Sequence, residues 1–243
     1  MSDSSKRIKT SKRFLLYYWP LPFRGNFAKN LFAYTNTDYE EASMSDLLEL
    51  KKAPISEQPR PFMAPPMLYD AEKDLFLAQM PAVCFYLGSE LGLMPTNTVD
   101  QALTLKILGD CTDVLEEITC SCGAQMWTKE KWESFSKERF VRWLTIFEQT
   151  AIRQKVTDTQ GFLFQTETAT VADLAVHALF ATMDRCLPQL SSTLRTNCPT
   201  IMALCDRLSA HKGIKALVEK QRAAHGNTYC GGQIEKSIRS MLE

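Results

Sequence analysis

The amino-acid sequence predicts a two-part fold, a small α/β unit over residues 14–92 followed by an all-α unit over residues 98–225. Two observations predict it. Up to residue 92, short apolar runs bounded by prolines and polar turns alternate with helically spaced stretches, whereas after LGLMPTN (residues 91–97) every apolar pattern has helical spacing. At 243 residues, with 45% hydrophobic and 23% charged residues, the chain is also long and apolar enough to bury a core of its own.

The elements follow in order. FLLYYW (14–19) is a buried aromatic strand that stops at Pro20, and from Asn26 the residues Phe27, Leu31 and Tyr34 recur at helical spacing until the polar TNTD. DYEEAS (38–43) is a short strand and SDLLELKK (45–52) a short helix; the proline-rich APISEQPRPFMAPP (53–66) is a loop. MLYD and DLFLAQ, separated by AEK, form a hairpin. The helix MPAVCFYLGSEL follows, with Pro81 in its first turn, where a missing N–H costs least. The order strand, helix, strand, loop, two strands, helix defines the α/β unit.

Beyond it, Leu103, Ile107, Leu108, Val114, Leu115 and Ile118 mark a helix over 98–118, and Trp132, Phe135, Phe140, Trp143, Leu144 and Phe147 one over 130–156. Later helices begin near Thr170, Pro199 and Lys212. In TVAD (170–173) Thr170 can accept from early helix N–H groups while Asp173 reaches back, a capping-box pattern that also favours the positive helix end. GNTYCGGQ (226–233) has glycines but no phosphate-loop lysine or strand–helix context, so residues 226–243 are expected to be a flexible tail.

Composition narrows the function classes. The 28 basic and 28 acidic residues cancel, so no global field favours nucleic acid or an anionic membrane. The one basic cluster, KRIKTSKR (6–13), belongs to a solvated, flexible arm over residues 1–13. No stretch has the length of a signal-peptide core or a membrane span, which predicts a cytoplasmic protein. Eight cysteines lack a CxxC pair, Cys120 and Cys122 are too few ligands for a structural zinc, and His177, His211 and His225 have no metal-ligand spacing, so no metal is expected. His177, within the apolar DLAVHALF, is expected to be a satisfied core or interface residue.

YW at 18–19 with RG at 24–25, LFAYTNTDYEE (31–41), PMLYD (66–70), LAQMPAVCFYL (77–87) and TVAD, in this order and spacing, resemble the cytosolic glutathione transferases. The resemblance covers residues 14–225 and is nearest to the tyrosine-type (mu, pi and sigma) branches. It implies a thioredoxin-like N-terminal domain that binds glutathione, an all-α C-terminal domain that lines a second-substrate pocket, and a homodimer. The implied chemistry is detoxifying conjugation of the glutathione thiolate to a small hydrophobic electrophile. A free thiol with pKa near ~8.5 is mostly protonated at neutral pH, and lowering it by ~2 units corresponds to about 2.7 kcal/mol of thiolate stabilisation.

By this resemblance Tyr18 is the hydroxyl that stabilises the thiolate. Strand alternation sends Phe14, Leu16 and Tyr18 one way and Leu15, Tyr17 and Trp19 the other, so the adjacent tyrosines have different roles and Tyr17 is left to packing. The resemblance also places Trp19 and Arg24 with the glutathione-binding residues. Gln79 and the Met80 N–H face the γ-glutamyl end at a helix N-terminus. Pro66 matches a cis proline that, with Pro65 before it, sets the backbone against the cysteinyl part. Lys51 or Lys52 pairs with the glycine carboxylate, and Asp110 reaches the neighbouring subunit's glutathione.

The sequence departs from the family pattern at four places. PLPF (20–23) replaces a shorter turn, and its Leu21 stands where thiol-type branches carry a nucleophilic cysteine. Met80 replaces a serine, Pro65 has no N–H to donate, and QTETA (165–169) replaces a Gly-Asp before the capping box. Met80, Pro65 and the extra turn residues favour one alternative, a non-catalytic binding or scaffold protein of the same fold; a glutathione-dependent isomerase of that fold is a second.

Overall fold

The structure is a computed structural model in which residues 8–243 are described. Four strands, β1 (Phe14–Tyr17), β2 (Tyr39–Glu41), β3 (Met67–Asp70) and β4 (Leu75–Ala78), form a sheet of order β2-β1-β3-β4. β1 and β2 are parallel, Phe14 opposite Tyr39, and are joined through α1 (Gly25–Thr35). β3 runs antiparallel to both of its neighbours, Tyr17 opposite Met67 and Met67 opposite Ala78. With α2 (Met44–Lys52) before β3 and α3 (Met80–Glu90) after β4, the order is βαβαββα, a thioredoxin-like unit.

The period-two pattern of β1 divides the apolar residues between two faces. Phe14 and Leu16, with Leu68 of β3, join the main core under α1 and α3; Leu15 and Tyr17, with Met67, Tyr69 and Phe76, pack under α2 around Leu47 and Phe62. Each such side chain contributes about 1.5–3 kcal/mol of burial.

The helical unit comprises α4 (Thr98–Ile118), a single turn α5 (Cys120–Gly123), α6 (Lys129–Ser134), α7 (Phe140–Arg153), α8 (Val171–Cys186), α9 (Ser191–Asn197), α10 (Pro199–Ser209), α11 (Lys212–His225) and α12 (Gly232–Met241). The helix expected over 130–156 is two helices joined by a π-helical turn at Phe135–Arg139. There Phe135 packs between Trp127, Trp132 and Phe140, with ring centroids 5.0, 5.7 and 5.6 Å away, and one extra residue in the turn accommodates the aromatic cluster. The Thr170 capping box forms as expected at the start of α8.

Two expectations about the chain ends are corrected. Residues 1–7 lie outside the described residues, but residues 10–13 of the supposed flexible arm are tied down. Glu40 accepts from Ser11 N (2.9 Å) and Thr10 Oγ1 (3.1 Å), and Arg13 donates to the buried Asp70 carboxylate at 2.8 Å. The tail expected over 226–243 carries α12, and Tyr229 before it is 1% exposed. Glu235 Oε2 explains this order: it accepts the consecutive N–H groups of Tyr229 (3.0 Å), Cys230 (3.0 Å) and Gly231 (2.6 Å), a cradle that suits an anion.

The two units meet across α1. At Gly213, in the first turn of α11, an added Cβ would lie 1.8 Å from Ala33 O of α1, a backbone atom that cannot turn aside. Gly213→Ala is therefore expected to destabilise the protein by about 3 kcal/mol, read as a lower urea midpoint with an unchanged slope.

His177 is the satisfied core residue expected, with Asn30 Nδ2 2.8 Å from Nδ1 and Ser209 Oγ 2.9 Å from Nε2. Burial lowers its pKa from 6.5 to about 4, with the Arg185 charge acting in the same direction. Because the folded pKa is depressed, this stability is present above about 6.5 and lost as the pH falls toward about 4, about 3 kcal/mol in all. The stability difference between wild type and His177→Gln is expected to narrow across that window, measured by urea unfolding at successive pH values.

Candidate active site

β1 ends at Tyr17 and delivers Tyr18 to the start of α1. The Tyr18 ring lies on Gly25, where a Cβ would sit 2.3 Å from Tyr18 Cδ1, so the position admits only glycine in this packing. Tyr18 Oη accepts the Arg24 N–H at 2.9 Å, at the positive end of the helix, which leaves the hydroxyl proton for another acceptor. Burial raises the Tyr18 pKa above 10 against the opposing pull of the Arg24 charge and of the Arg24 and Gly25 N–H groups, so the residue stays a neutral O–H donor at physiological pH. Tyr17 points to the other face, its ring 5.9 Å from Phe76.

The other sequence-predicted residues are distributed as follows. Lys51, on the last turn of α2, places its Nζ 5.1 Å from the Trp19 ring centroid; Lys52 is exposed beside it. Pro65 and Pro66 are buried before β3, and the peptide between them is cis. Gln79 is exposed between β4 and α3 with φ +74°, a conformation that a residue with a Cβ seldom adopts and that concentrates at functional sites. Met80 is 3% exposed: its side chain belongs to the core, which accounts for an apolar residue there, and only its backbone N–H remains at the helix start. Asp110 is held by Lys106, four residues earlier on α4, and burial raises its pKa despite that lysine. Among the described residues no contact joins Asp110 to Tyr18, Gln79 or the proline loop.

The C-terminal segment reaches this site as an ordered helix rather than a flexible tail. The extra turn residues are its docking surface: the Phe23 ring stands edge-on to Tyr229 at 5.2 Å, and Leu21 packs against Gly231. Arg24 Nη2 also lies 3.5 Å from Cys122 Sγ, on a turn where Cys120, Ser121 and Cys122 all have positive φ (46°, 58° and 57°). Tyr18 is left 7% exposed beneath these elements. The signal for α12 was present, since Ile234, Ile238 and Met241 recur at helical spacing. The burial of Tyr229 depends on Glu235 reaching back and has no such signature.

Comparison with known proteins agrees with this architecture. The family model described as "Glutathione S-transferase, C-terminal domain" matches residues 103–241, so it includes α12. A pi-class glutathione S-transferase of Onchocerca volvulus superposes with TM-score 0.69 over 87% of this chain and 95% of its own, at 15% identity. Rat hPGDS, in complex with a quinoline, gives 0.66 over 85% and 96% at 18%, and prostaglandin synthase D of Nilaparvata lugens 0.66 over 86% and 97% at 16%. At such identities the likeness is one of fold. No curated protein has a significant match to the sequence. The family model spans more than half of the chain, and the βαβαββα unit stands before the helices in the family's order, so the chain belongs to the cytosolic glutathione transferase family.

Proposed function

We propose that the protein is a glutathione transferase in which the Tyr18 hydroxyl donates a hydrogen bond to the glutathione thiolate, which adds to a small hydrophobic electrophile. The observation that carries this reading is the Arg24 N–H···Oη bond of 2.9 Å on a buried tyrosine: the oxygen is already an acceptor, and its proton is free to stabilise an incoming anion. Trp19 with Lys51, the cis Pro65–Pro66 backbone, the α3 N-terminus at Gln79 and Met80, and Arg24 supply the remaining glutathione contacts in this reading. Lys52 is the second cation available to the glycine carboxylate. In the reaction the sulfur lone pair forms the new S–C bond, and the displaced group or the adjacent carbon takes the electron pair.

A cytoplasmic homodimer of detoxifying function completes the proposal. The face for it is α4, where Val99 is 67% and Leu105 46% exposed, and a second subunit seated there would meet Asp110. No helix among the described residues is long and apolar enough to cross a membrane.

The test is a titration of the protein with reduced glutathione, following thiolate absorbance against pH. A thiol pKa lowered by ~2 units from ~8.5 supports the transferase. Binding with an unshifted thiol would overturn it in favour of the non-catalytic binding protein, and turnover of a substrate without net loss of thiol would identify the isomerase.

A further inference from the structure

A cleft of 270 Å³ opens between α1, α8, α10 and α11, and none of its lining residues belongs to the Tyr18 site. We infer that this cleft is a second binding site, for a free α-amino acid with a short apolar side chain, its ammonium on Asp184 and its carboxylate on Arg222 and Arg185. The volume lies just below the range of about 300–1,000 Å³ usual for small-molecule sites, which suits a ligand of this size.

The floor is polar, buried and internally ordered. Asn30 Nδ2 donates to Leu174 O (3.2 Å), which fixes the amide orientation, and to His177 Nδ1 (2.8 Å). The ring proton is therefore on Nε2, donated to Ser209 Oγ at 2.9 Å, and the Ser209 hydroxyl proton is free to turn into the cleft. Asn26 Nδ2 likewise donates to Thr182 Oγ1 at 2.9 Å, which frees the Thr182 proton.

The walls carry both signs of charge in a particular state of pairing. Asp206 holds both oxygens on Arg195, at 2.9 and 3.2 Å. Asp184 uses only Oδ2 on Arg195 (2.9 Å), while its Oδ1 is buried without a hydrogen-bond partner, a rare condition for a carboxylate oxygen. Opposite in sign, and among the described residues, Arg185 donates only to the neutral Gly226 O (3.4 Å) and Gln221 Oε1 (3.3 Å), and Arg222 forms no ion pair. A simple cation would leave the two arginines unmatched and a simple anion would face Asp184, whereas a zwitterion satisfies both. Ala181 and Val218 give the side chain its apolar contact.

The experiment is calorimetric titration of the full chain with L-alanine and with L-valine, with acetate and methylammonium as half-ligands and reduced glutathione as competitor. Saturable binding of an amino acid is expected, with neither half-ligand binding and no competition from glutathione. Asp184→Asn, which keeps the shape and the Arg195 partner, and Arg222→Ala, at an exposed position, are each expected to weaken binding at least tenfold. No saturable binding up to about 10 mM, well past a millimolar Kd, would overturn the proposal, as would binding that both variants leave unchanged or that glutathione displaces. Because glutathione binding is read in the same titrations, failure of this site and failure of the Tyr18 site are distinguishable.

Discussion

Tyr18→Phe is expected to lower glutathione conjugation about 25-fold at pH 7, growing toward about a hundredfold in acid, and to do so through the thiol. A donated hydrogen bond that holds the thiol pKa ~2 units down is equivalent to about 2.7 kcal/mol, and that is the stabilisation a phenyl ring lacks. The pH at which activity rises should move up by the same two units, so the variant recovers much of its deficit in alkaline solution. The substitution leaves the fold standing, because the ring contact with Gly25 is unchanged; only the Arg24 N–H loses an acceptor, at a cost of about 1 kcal/mol. A variant with wild-type pH dependence would assign thiolate stabilisation to another group, and Arg24 itself, beside the same oxygen, is then the one to replace.

How much of this site the sequence discloses follows the range of the interactions. The separation of Tyr17 from Tyr18 was legible because a strand alternates every residue, and the structure puts Leu15 and Tyr17 in one cluster and Phe14 and Leu16 in the other. Helix α4 was legible to its ends, since Asn97 accepts from Asp100 N at 2.8 Å and the apolar period runs on to Ile118. Asp110, by contrast, was placed only by resemblance, and the Lys106 that holds it four residues earlier was not part of that reading.

What was not legible depends on residues far apart in sequence. Nothing local brings Lys51 over Trp19, or Arg24 to Cys122 across 98 positions. PLPF read as an awkward extra turn until Phe23 and Leu21 met the C-terminal segment, and that segment read as a loose tail because its anchor is one carboxylate reaching back to three N–H groups. The sequence-level departures of the turn are thus half of a long-range contact whose other half also looked irregular.

The largest expected loss of stability comes from Asp173→Ala. Asp173 is 0% exposed, and its Oδ1 accepts the Leu163 N–H at 2.7 Å while its Oδ2 accepts the Thr170 N–H at 2.8 Å and the Thr170 hydroxyl at 2.7 Å. Alanine leaves two buried backbone donors without acceptors, each costing about 1–3 kcal/mol, and removes a negative charge from the positive end of α8. Next to it, Val171 N bonds to Leu93 O at 3.1 Å, tying α8 to the segment that follows the α/β unit, so the damage falls where the two units join. The expected loss is about 4 kcal/mol, or about 8–16 °C in Tm for a chain of this size. The pH dependence gives the test its sign. Burial raises the Asp173 pKa from 3.8 to about 6, against the bonds from Thr170 and Leu163, so its contribution is full below the unfolded value and lost as the pH rises through about 6. The gap between wild type and Asp173→Ala should therefore widen as the pH falls from about 6 toward about 4, while the His177 contribution, common to both proteins, cancels. A gap that closes in acid would mean that the ionised carboxylate is the form the fold prefers, with the three hydrogen bonds outweighing its burial.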